Sequence, residues 1–426
     1  MNLILGKYTD REGAKAAIDD IDSLILASRA APPLSREAVI SAADRVSRSL
    51  SESEHLPLLT ALGMTRAKAE KELAYARFIT SREYLTERVK REFGGTEEGS
   101  FIPYGEKTPV RTEWRPLGVL MHISAGNVDA LPVFSVLEGL LTGNINILKL
   151  SGEDDGLSLP ILRMLMDAEP LIEKYVFAFD LPGEDIGGMK KLASAADAVV
   201  LWGGDAAVRA VRSLAEPDTR LIEWGHKVSF AYVSGEPKEA DLEGICENIC
   251  DTNQLFCNSC QGVYLDTDDF SKVCRFAERF ADILERVSLR MEAAHNPRIT
   301  AQKTLELYTE ELEAAPGGKR VFRRNGCAVI AYPASSLAPS IMFRNPWVRP
   351  LKREKLLGTL SKHKAHLNTA CLCCAEAERA ELEDLLIRAG VVRITGGRRM
   401  SESFCGAPHD GEMPLRRYMK IVTYEY

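Results

Sequence analysis

The chain is short of the features that mark the commoner protein classes. Its 426 residues contain no apolar run of 18, so no membrane-spanning helix is expected. Its opening, Met1-Asn-Leu-Ile-Leu-Gly-Lys-Tyr8, turns polar too soon for a secretory signal, and a cytoplasmic protein is expected. Ten cysteines are too sparse for a disulfide scaffold and are read as reduced. Lys and Arg form no dense stripe, and the net charge is −7, which argues against nucleic acid as the main partner. There is no Gly-x-Gly-x-x-Gly, no internal repeat and no low-complexity segment. What remains is 45% hydrophobic and 27% charged, an ordinary globular balance, with length for two or three domains.

Two cysteine clusters test a metal reading. Cys257-x-x-Cys260 has the form of a zinc half-site, but Cys371-x-Cys373-Cys374 has the wrong spacing to complete one. No metal is expected, and Cys371, Cys373 and Cys374 read as small buried hydrophobes on a strand.

Residues 10 to about 93 have helical spacing, interrupted by Pro32-Pro33 and ended by Gly94-Gly95. Residues 100 to 115 alternate and carry turn residues, which predicts a polar hairpin. From Pro116 the texture becomes α/β. Strands are predicted at 117–123, 144–150, 175–179 and 198–202, with helices at 131–141, 159–166, 189–195 and from about 206. A second series follows, with strands at 228–233 and 262–265 and helices at 241–250 and 268–293. This alternation predicts doubly wound parallel sheets, which bind ligands at the carboxyl ends of their strands. The segment 416–426 alternates and is expected to be a strand pairing elsewhere.

The chemistry concentrates in three places. Cys257 lies in a polar loop, Asp251-Thr-Asn-Gln-Leu-Phe-Cys257-Asn-Ser-Cys260-Gln-Gly262, and a cysteine there can carry an acyl group as a thioester. Glu223, two residues before Gly225 on what reads as a tight turn, can serve as its base or activate water, with His226 as a competing base. Asn127, in Ser124-Ala-Gly-Asn127, can stabilise an oxyanion. Gly203-Gly204 between a strand and a helix suits a phosphate, and Lys149, inside an apolar strand, suits a cofactor ribose or phosphate.

In order, Arg115-Pro-Leu-Gly-Val119, Asn127, Thr142-Gly-Asn-Ile-Asn-Ile-Leu-Lys149, Leu201-Trp-Gly-Gly204, Glu223-x-Gly-x-Lys227 and Asn253-Gln-x-x-Cys257 resemble the signatures of the aldehyde dehydrogenase superfamily. Within it the chain is most similar to the fatty acyl-CoA reductase family (LuxC-type). That likeness is carried by His122-Ile-Ser-Ala-Gly-Asn127, Glu138-Gly-Leu-Leu-Thr-Gly-Asn144, Ile147-Leu-Lys-Leu-Ser151, Lys227-x-Ser-Phe230, and His409-Asp-Gly411 followed by Pro414-Leu415.

The resemblance implies an aldehyde-dehydrogenase-like fold. Residues 1–99 would be the helical start of a cofactor domain, 100–115 an oligomerisation hairpin and 116–227 the cofactor-binding α/β part. Residues 228–405 would be the catalytic domain and 406–426 a C-terminal oligomerisation strand. It implies NADPH-linked reduction of an acyl-CoA or acyl-carrier thioester to an aldehyde, with NAD as the other cofactor. Cys257 would be acylated, Asn127 and the Cys257 N–H would form the oxyanion hole, and Glu223 would stand where the superfamily keeps its base. Ile123, Ser124, Lys149, Ser151, Trp202, Gly203, Gly204 and Gly225 would bind the cofactor. A homodimer or higher oligomer is implied, with a partner enzyme supplying the acyl group.

The chain also departs from the superfamily. Ala125-Gly126-Asn127 replaces an aromatic-rich turn, Phe343-Arg-Asn-Pro346 stands where a Glu-containing ribose clamp is usual, and Cys260 adds a thiol able to form a disulfide with Cys257. Gly152 occupies the position of a carboxylate that chelates the adenosine ribose, which favours a 2′-phosphate, while Glu153, one residue on, could restore the chelate. The rival readings are a hydrolytic aldehyde dehydrogenase, in which Glu223 activates water, and a non-catalytic subunit that only binds acyl groups.

Overall fold

The computed structural model describes residues 1–61, 65–94, 100–104, 108–124, 131–150, 158–291, 297–314 and 318–425. The chain divides into two compact units. One is Met1–Gly225 together with Cys405–Tyr426, and the other is His226–Phe404.

The first unit opens with a short antiparallel pair, β1 (Asn2–Ile4) and β2 (Lys7–Thr9), and six helices. These are α1 (Arg11–Asp19), α2 (Ile21–Arg29), α3 (Arg36–Ser49), α4 (Glu52–Ala61), α5 (Arg66–Thr80) and α6 (Arg82–Phe93). Local chemistry sets their ends. Asp10, Ser35 and Ser81 each accept a backbone N–H as N-caps, and Gly94 ends α6 in the left-handed conformation. The hairpin β3 (Ser100–Tyr104) and β4 (Thr108–Pro116) follows.

The α/β part then runs β5 (Val119–Ile123), α7 (Leu131–Leu141), β6 (Ile145–Lys149), α8 (Ser158–Ala168), β7 (Val176–Phe179), α9 (Ile186–Ser194), β8 (Ala198–Trp202), α10 (Asp205–Arg212) and β9 (Arg220–Trp224). The sheet order is β2-β1-β7-β6-β5-β8-β9, and β5 to β9 are parallel. Val119, Leu120, Met121 and His122, and the whole of β7, are buried, as expected of strands covered on both faces. Gly118 enters β5 at φ +140°, and a Cβ there would lie 2.1 Å from the Asp197 carboxylate. That carboxylate accepts the Val119 N–H and the Arg29 guanidinium, so only glycine fits.

The second unit contains β10 (Val228–Val233), α11 (Glu239–Thr252), β11 (Cys260–Leu265), α12 (Phe270–Arg290) and α13 (Pro297–Leu312). It continues with β12 (Arg320–Arg324), β13 (Cys327–Ala331), β14 (Trp347–Pro350), β15 (Leu367–Cys373) and β16 (Arg393–Thr395). Its sheet order is β12-β13-β14-β11-β10-β15-β16, parallel except for the edge strand β12. Apolar clusters cover it, one of them containing Phe280, Leu284 and Val348, the other Trp347, Leu356 and Leu382.

The chain then returns to the first unit. A helical turn, Pro414–Arg417, leads into β17 (Met419–Tyr424), which pairs antiparallel with β4 in a sheet of order β17-β4-β3. This segment is tied down by buried charge. Arg88 is ion-paired with both Glu92 and Glu138, Tyr418 Oη donates to Glu138 at 3.0 Å, and Glu92 accepts the Leu415 N–H at 2.8 Å. Burial works against the Arg88 charge, but Glu138, Tyr84 and Glu92 hold it well above the ordinary guanidinium range. Asn144 adds a hydrogen bond to the Tyr418 carbonyl at 3.0 Å.

The doubly wound architecture is the one the sequence predicts. Three local expectations need correction. The first nine residues form strands β1 and β2, too short for a periodic signal. Glu223 lies within β9 rather than on a turn, because an edge strand carrying Arg220 and Glu223 lacks the apolar run of its neighbours. The segment from 416 begins as helix, since Pro414 at the start of a turn favours it.

Candidate active site

The parallel strands of the first unit bring most of the predicted cofactor residues to one edge. Ile123 pairs with Lys149 on one side and Leu201 on the other, and Trp202 pairs with Trp224. Ser124, Gly203, Gly204 and Gly225 follow directly after these strand ends. Asn127 and Ser151 lie outside the described residues.

Three groups at this edge could meet a polar ligand. Ser124 Oγ is buried and has no hydrogen-bond partner among the described residues. Gly204 caps α10 without a side-chain hydrogen bond, and a Cβ on it would meet nothing within 4 Å. Lys149 borders an open groove of about 910 Å³ together with Arg11, Asp180 and Glu184. Burial lowers the pKa of Lys149, while Asp180 and Glu184 oppose that shift.

Behind the edge runs a hydrogen-bonded chain. Trp202 Nε1 donates to Ser135 Oγ at 3.1 Å, and Ser135 meets His122 Nδ1 at 2.7 Å. His122 Nε2 meets Asn146 Oδ1 at 3.0 Å. Since the Asn146 oxygen can only accept, Nε2 carries the proton and Ser135 donates to Nδ1. Gly139 makes room for this chain, because a Cβ there would lie 1.8 Å from Asn146 Oδ1.

Burial lowers the His122 pKa to about 4, partly opposed by Asn146. The unfolded chain takes up this proton near pH 6.5, so the unfolded state binds more protons between pH 4 and 6.5. Stability from this residue is therefore expected to fall as pH drops through that window, by about 3 kcal/mol in total. Urea unfolding at pH 7 and pH 5 should show that slope in wild type, and His122→Asn should lack it. Equal slopes would reject the assignment.

Trp202 and Trp224 also hold His409, whose ring packs edge-on against both at centroid distances of 5.0 and 4.9 Å. His409 and Glu412 exchange backbone hydrogen bonds around Asp410 at φ 50° and Gly411 at φ 83°. That left-handed turn explains the His409-Asp-Gly411 motif. Glu223 is held by Arg212 of α10 in a two-armed ion pair, each arm 2.7 Å.

The second unit carries the cysteine loop. Helix α11 ends through two left-handed residues, Asn253 at φ 47° and Gln254 at φ 62°. The buried Gln254 side chain donates to the Cys260 carbonyl at 3.0 Å and accepts the Asn345 N–H at 3.0 Å. Phe343, beside the clamp position, donates its N–H to the Asn253 carbonyl at 3.0 Å. Cys257 is half-buried, and its carbonyl accepts a hydrogen bond from Ser229 Oγ at 2.6 Å. His226 lies at the start of this unit, and its carbonyl meets His366 Nδ1 at 3.2 Å.

Cys260 differs from Cys257. It is fully buried on β11, its thiol donates to the Gly262 carbonyl at 3.3 Å, and burial raises its pKa to about 12. It sits in one core cluster with Cys246, Cys250, Cys327, Cys371 and Cys373. Cys371 and Cys373 are buried on β15, and Cys374 is half-buried just after it.

Sequence reasoning missed Arg212 and Arg393. Arg393 on β16 donates to the Met400 carbonyl at 3.0 Å, the Arg399 carbonyl at 2.9 Å and the Glu402 carbonyl. Burial lowers its pKa, and Glu402 and Cys257 oppose that shift. Neither arginine lies in a motif, and no spacing signal links them to the residues they serve.

Residues 31–421 match the acyl-CoA reductase (LuxC) family. A long-chain acyl-protein thioester reductase of Aliivibrio fischeri is 25% identical over 380 residues, covering 86% of this chain and 76% of that protein. Lactaldehyde dehydrogenase from Escherichia coli has a TM-score of 0.72 at 17% identity, covering 97% of this chain and 91% of that one. A glyceraldehyde-3-phosphate dehydrogenase from Methanocaldococcus jannaschii, complexed with NADP, has a TM-score of 0.72 at 10% identity, covering 99% of this chain and 95% of that one. The fold is thus aldehyde-dehydrogenase-like.

Proposed function

The chain belongs to the acyl-CoA reductase (LuxC) family, and from that premise we propose that it reduces an acyl thioester to an aldehyde with NADPH, through a thioester on Cys257. The observation that carries this reading is the family match across residues 31–421, which includes the half-buried Cys257 in a loop held on several sides. The acyl donor is acyl-CoA or an acyl group on a carrier protein.

The Cys257 thiolate attacks the acyl carbonyl, and the donor thiol leaves with a proton. Asn127 and the Cys257 N–H would hold the oxyanion, and the strand-end residues of the first unit would hold the nicotinamide cofactor. The cofactor, when bound, supplies the hydride. Cys257 then leaves as a thiolate, so one donor thioester, one NADPH and one proton give one aldehyde, one free thiol and NADP⁺.

Hydrolysis would need Glu223 to take a proton from water. Each Glu223 oxygen already accepts from Arg212, which leaves one lone pair on each for a water. The family match, rather than Glu223, favours the reductase over the hydrolytic dehydrogenase. The test is aldehyde formation and NADPH oxidation on mixing with acyl-CoA. Aldehyde oxidation without any reduction of acyl-CoA would move the assignment to the rival.

Lys149, two residues before Ser151 in the sequence, supports the NADPH preference. A charge-assisted contact to a 2′-phosphate contributes about 1.5–3 kcal/mol, or about 10- to 100-fold. Asp180 and Glu184 share the groove and repel the same phosphate, so the lower end is expected. NADPH should bind about tenfold tighter than NADH. Glu184→Gln should widen that gap in a fluorescence titration, and tighter NADH binding by wild type would refute it.

At least a dimer is also proposed, since β17 is an outer strand of the small sheet and an open edge favours pairing.

A further inference from the structure

Ser229 is fully buried where the register of β10 breaks on both sides. Against β11 the pairing shifts between Ser229 and Ala231, and against β15 it shifts between Val228 and Phe230. A shifted ladder leaves backbone groups without their usual partners. Here the side chain replaces the ladder. The Thr369 N–H of β15 donates to Ser229 Oγ at 3.0 Å, and that hydroxyl donates to the Cys257 carbonyl at 2.6 Å. A hydroxyl is a small group that accepts and donates at once, which alanine cannot do.

We propose that Ser229 is a positioning residue for Cys257, holding its carbonyl so that the thiol is presented for acylation. This rests on the reading of Cys257 as the acyl carrier. The peptide after Cys257 is planar and trans, so fixing its carbonyl also fixes the direction of the Asn258 N–H. The rest of the loop is held without Ser229. Phe256 N–H donates to Ser259 Oγ at 2.9 Å, Ser259 N–H to the Phe256 carbonyl at 3.0 Å, and Cys260 N–H to Asn248 Oδ1 at 2.7 Å. Removing the hydroxyl therefore takes this hold from the Cys257 carbonyl while leaving both ends of the loop closed. The role also accounts for the Lys227-x-Ser-Phe230 motif. Its lysine ties to the Ala365 carbonyl at 2.9 Å, and its serine reaches the nucleophile.

The test compares wild type, Ser229→Ala and Ser229→Thr in the full chain. Acyl transfer from acyl-CoA without cofactor is timed by intact mass, and the KM for acyl-CoA and the melting temperature are measured beside it. Ser229→Ala should acylate about 10- to 100-fold more slowly, the scale of a small misplacement of a reacting group, with KM within about twofold. Ser229→Thr, which restores the hydroxyl, should recover most of the rate. Ser229→Cys, a weaker donor of closer size, should fall between them and covers the case where threonine does not fit. An unchanged acylation rate in Ser229→Ala would overturn the inference alone. So would a loss of rate, KM and melting temperature together that neither threonine nor cysteine relieves. No adduct on Cys257 in wild type would overturn the inference together with its premise.

Discussion

Cys257→Ala is expected to form no acyl-enzyme and to lose aldehyde formation by at least about 10³-fold, the scale of removing a covalent nucleophile. The residue is half-buried in a loop whose ties come from Ser229, Gln254, Asn248 and backbone, so the fold should survive. Cys260→Ala is the control. Its thiol lies in the core with its pKa raised to about 12, so it is a poor nucleophile near neutral pH. That variant should keep the adduct and lose about 1–2 kcal/mol of stability through a small cavity. Intact-mass analysis decides between the thiols. An adduct that persists in Cys257→Ala and vanishes in Cys260→Ala would place the chemistry on the wrong side of this loop.

Glu138→Ala is expected to cost about 3–5 kcal/mol, the scale of breaking a buried ion pair by removing one partner. The Arg88 side chain is only 5% exposed and that of Glu138 only 1%, so water cannot replace what is lost. Tyr418 loses its acceptor at the same time. Damage should therefore appear at both Arg88 and the 414–419 segment. Denaturant unfolding gives the energy, and limited proteolysis should cut near 414–419 before it cuts elsewhere. Glu138→Gln, which still accepts from Tyr418, should cost less. A loss under about 1 kcal/mol for Glu138→Ala would show that Arg88 finds another partner.

The sheets were legible because covered parallel strands need continuous apolar runs. Val228–Val233 and Ala198–Trp202 have the bounds that their composition predicts. Strand β9 was not legible, because Arg-Leu-Ile-Glu-Trp at an edge reads as a turn beside Gly225. At the site, the cysteine and the strand-end glycines and lysine stand out by residue type. Their supports do not. Ser229 is an ordinary strand serine until the register breaks beside it, and Arg212 meets Glu223 only through tertiary structure. His122 and Glu138 were visible as parts of motifs. Their roles, a neutral hydrogen-bond relay and an anchor for Tyr418, depend on groups distant in sequence.

The first unit is assembled from two separated stretches of chain, and this has a consequence for biosynthesis. Glu138 leaves the ribosome 280 residues ahead of Tyr418, its buried partner, and Arg88 leaves 50 residues earlier still. Until then the Arg88–Glu138 pair has no cover from Leu415, Tyr418 and Met419, and β4 has no β17 beside it. The second unit is continuous from His226 to Phe404 and can fold while its neighbour waits. Synthesis order is thus reversed in completion. The half made first is finished last, and the nascent chain carries an open strand edge for most of its translation, an interval in which a chaperone has something to hold.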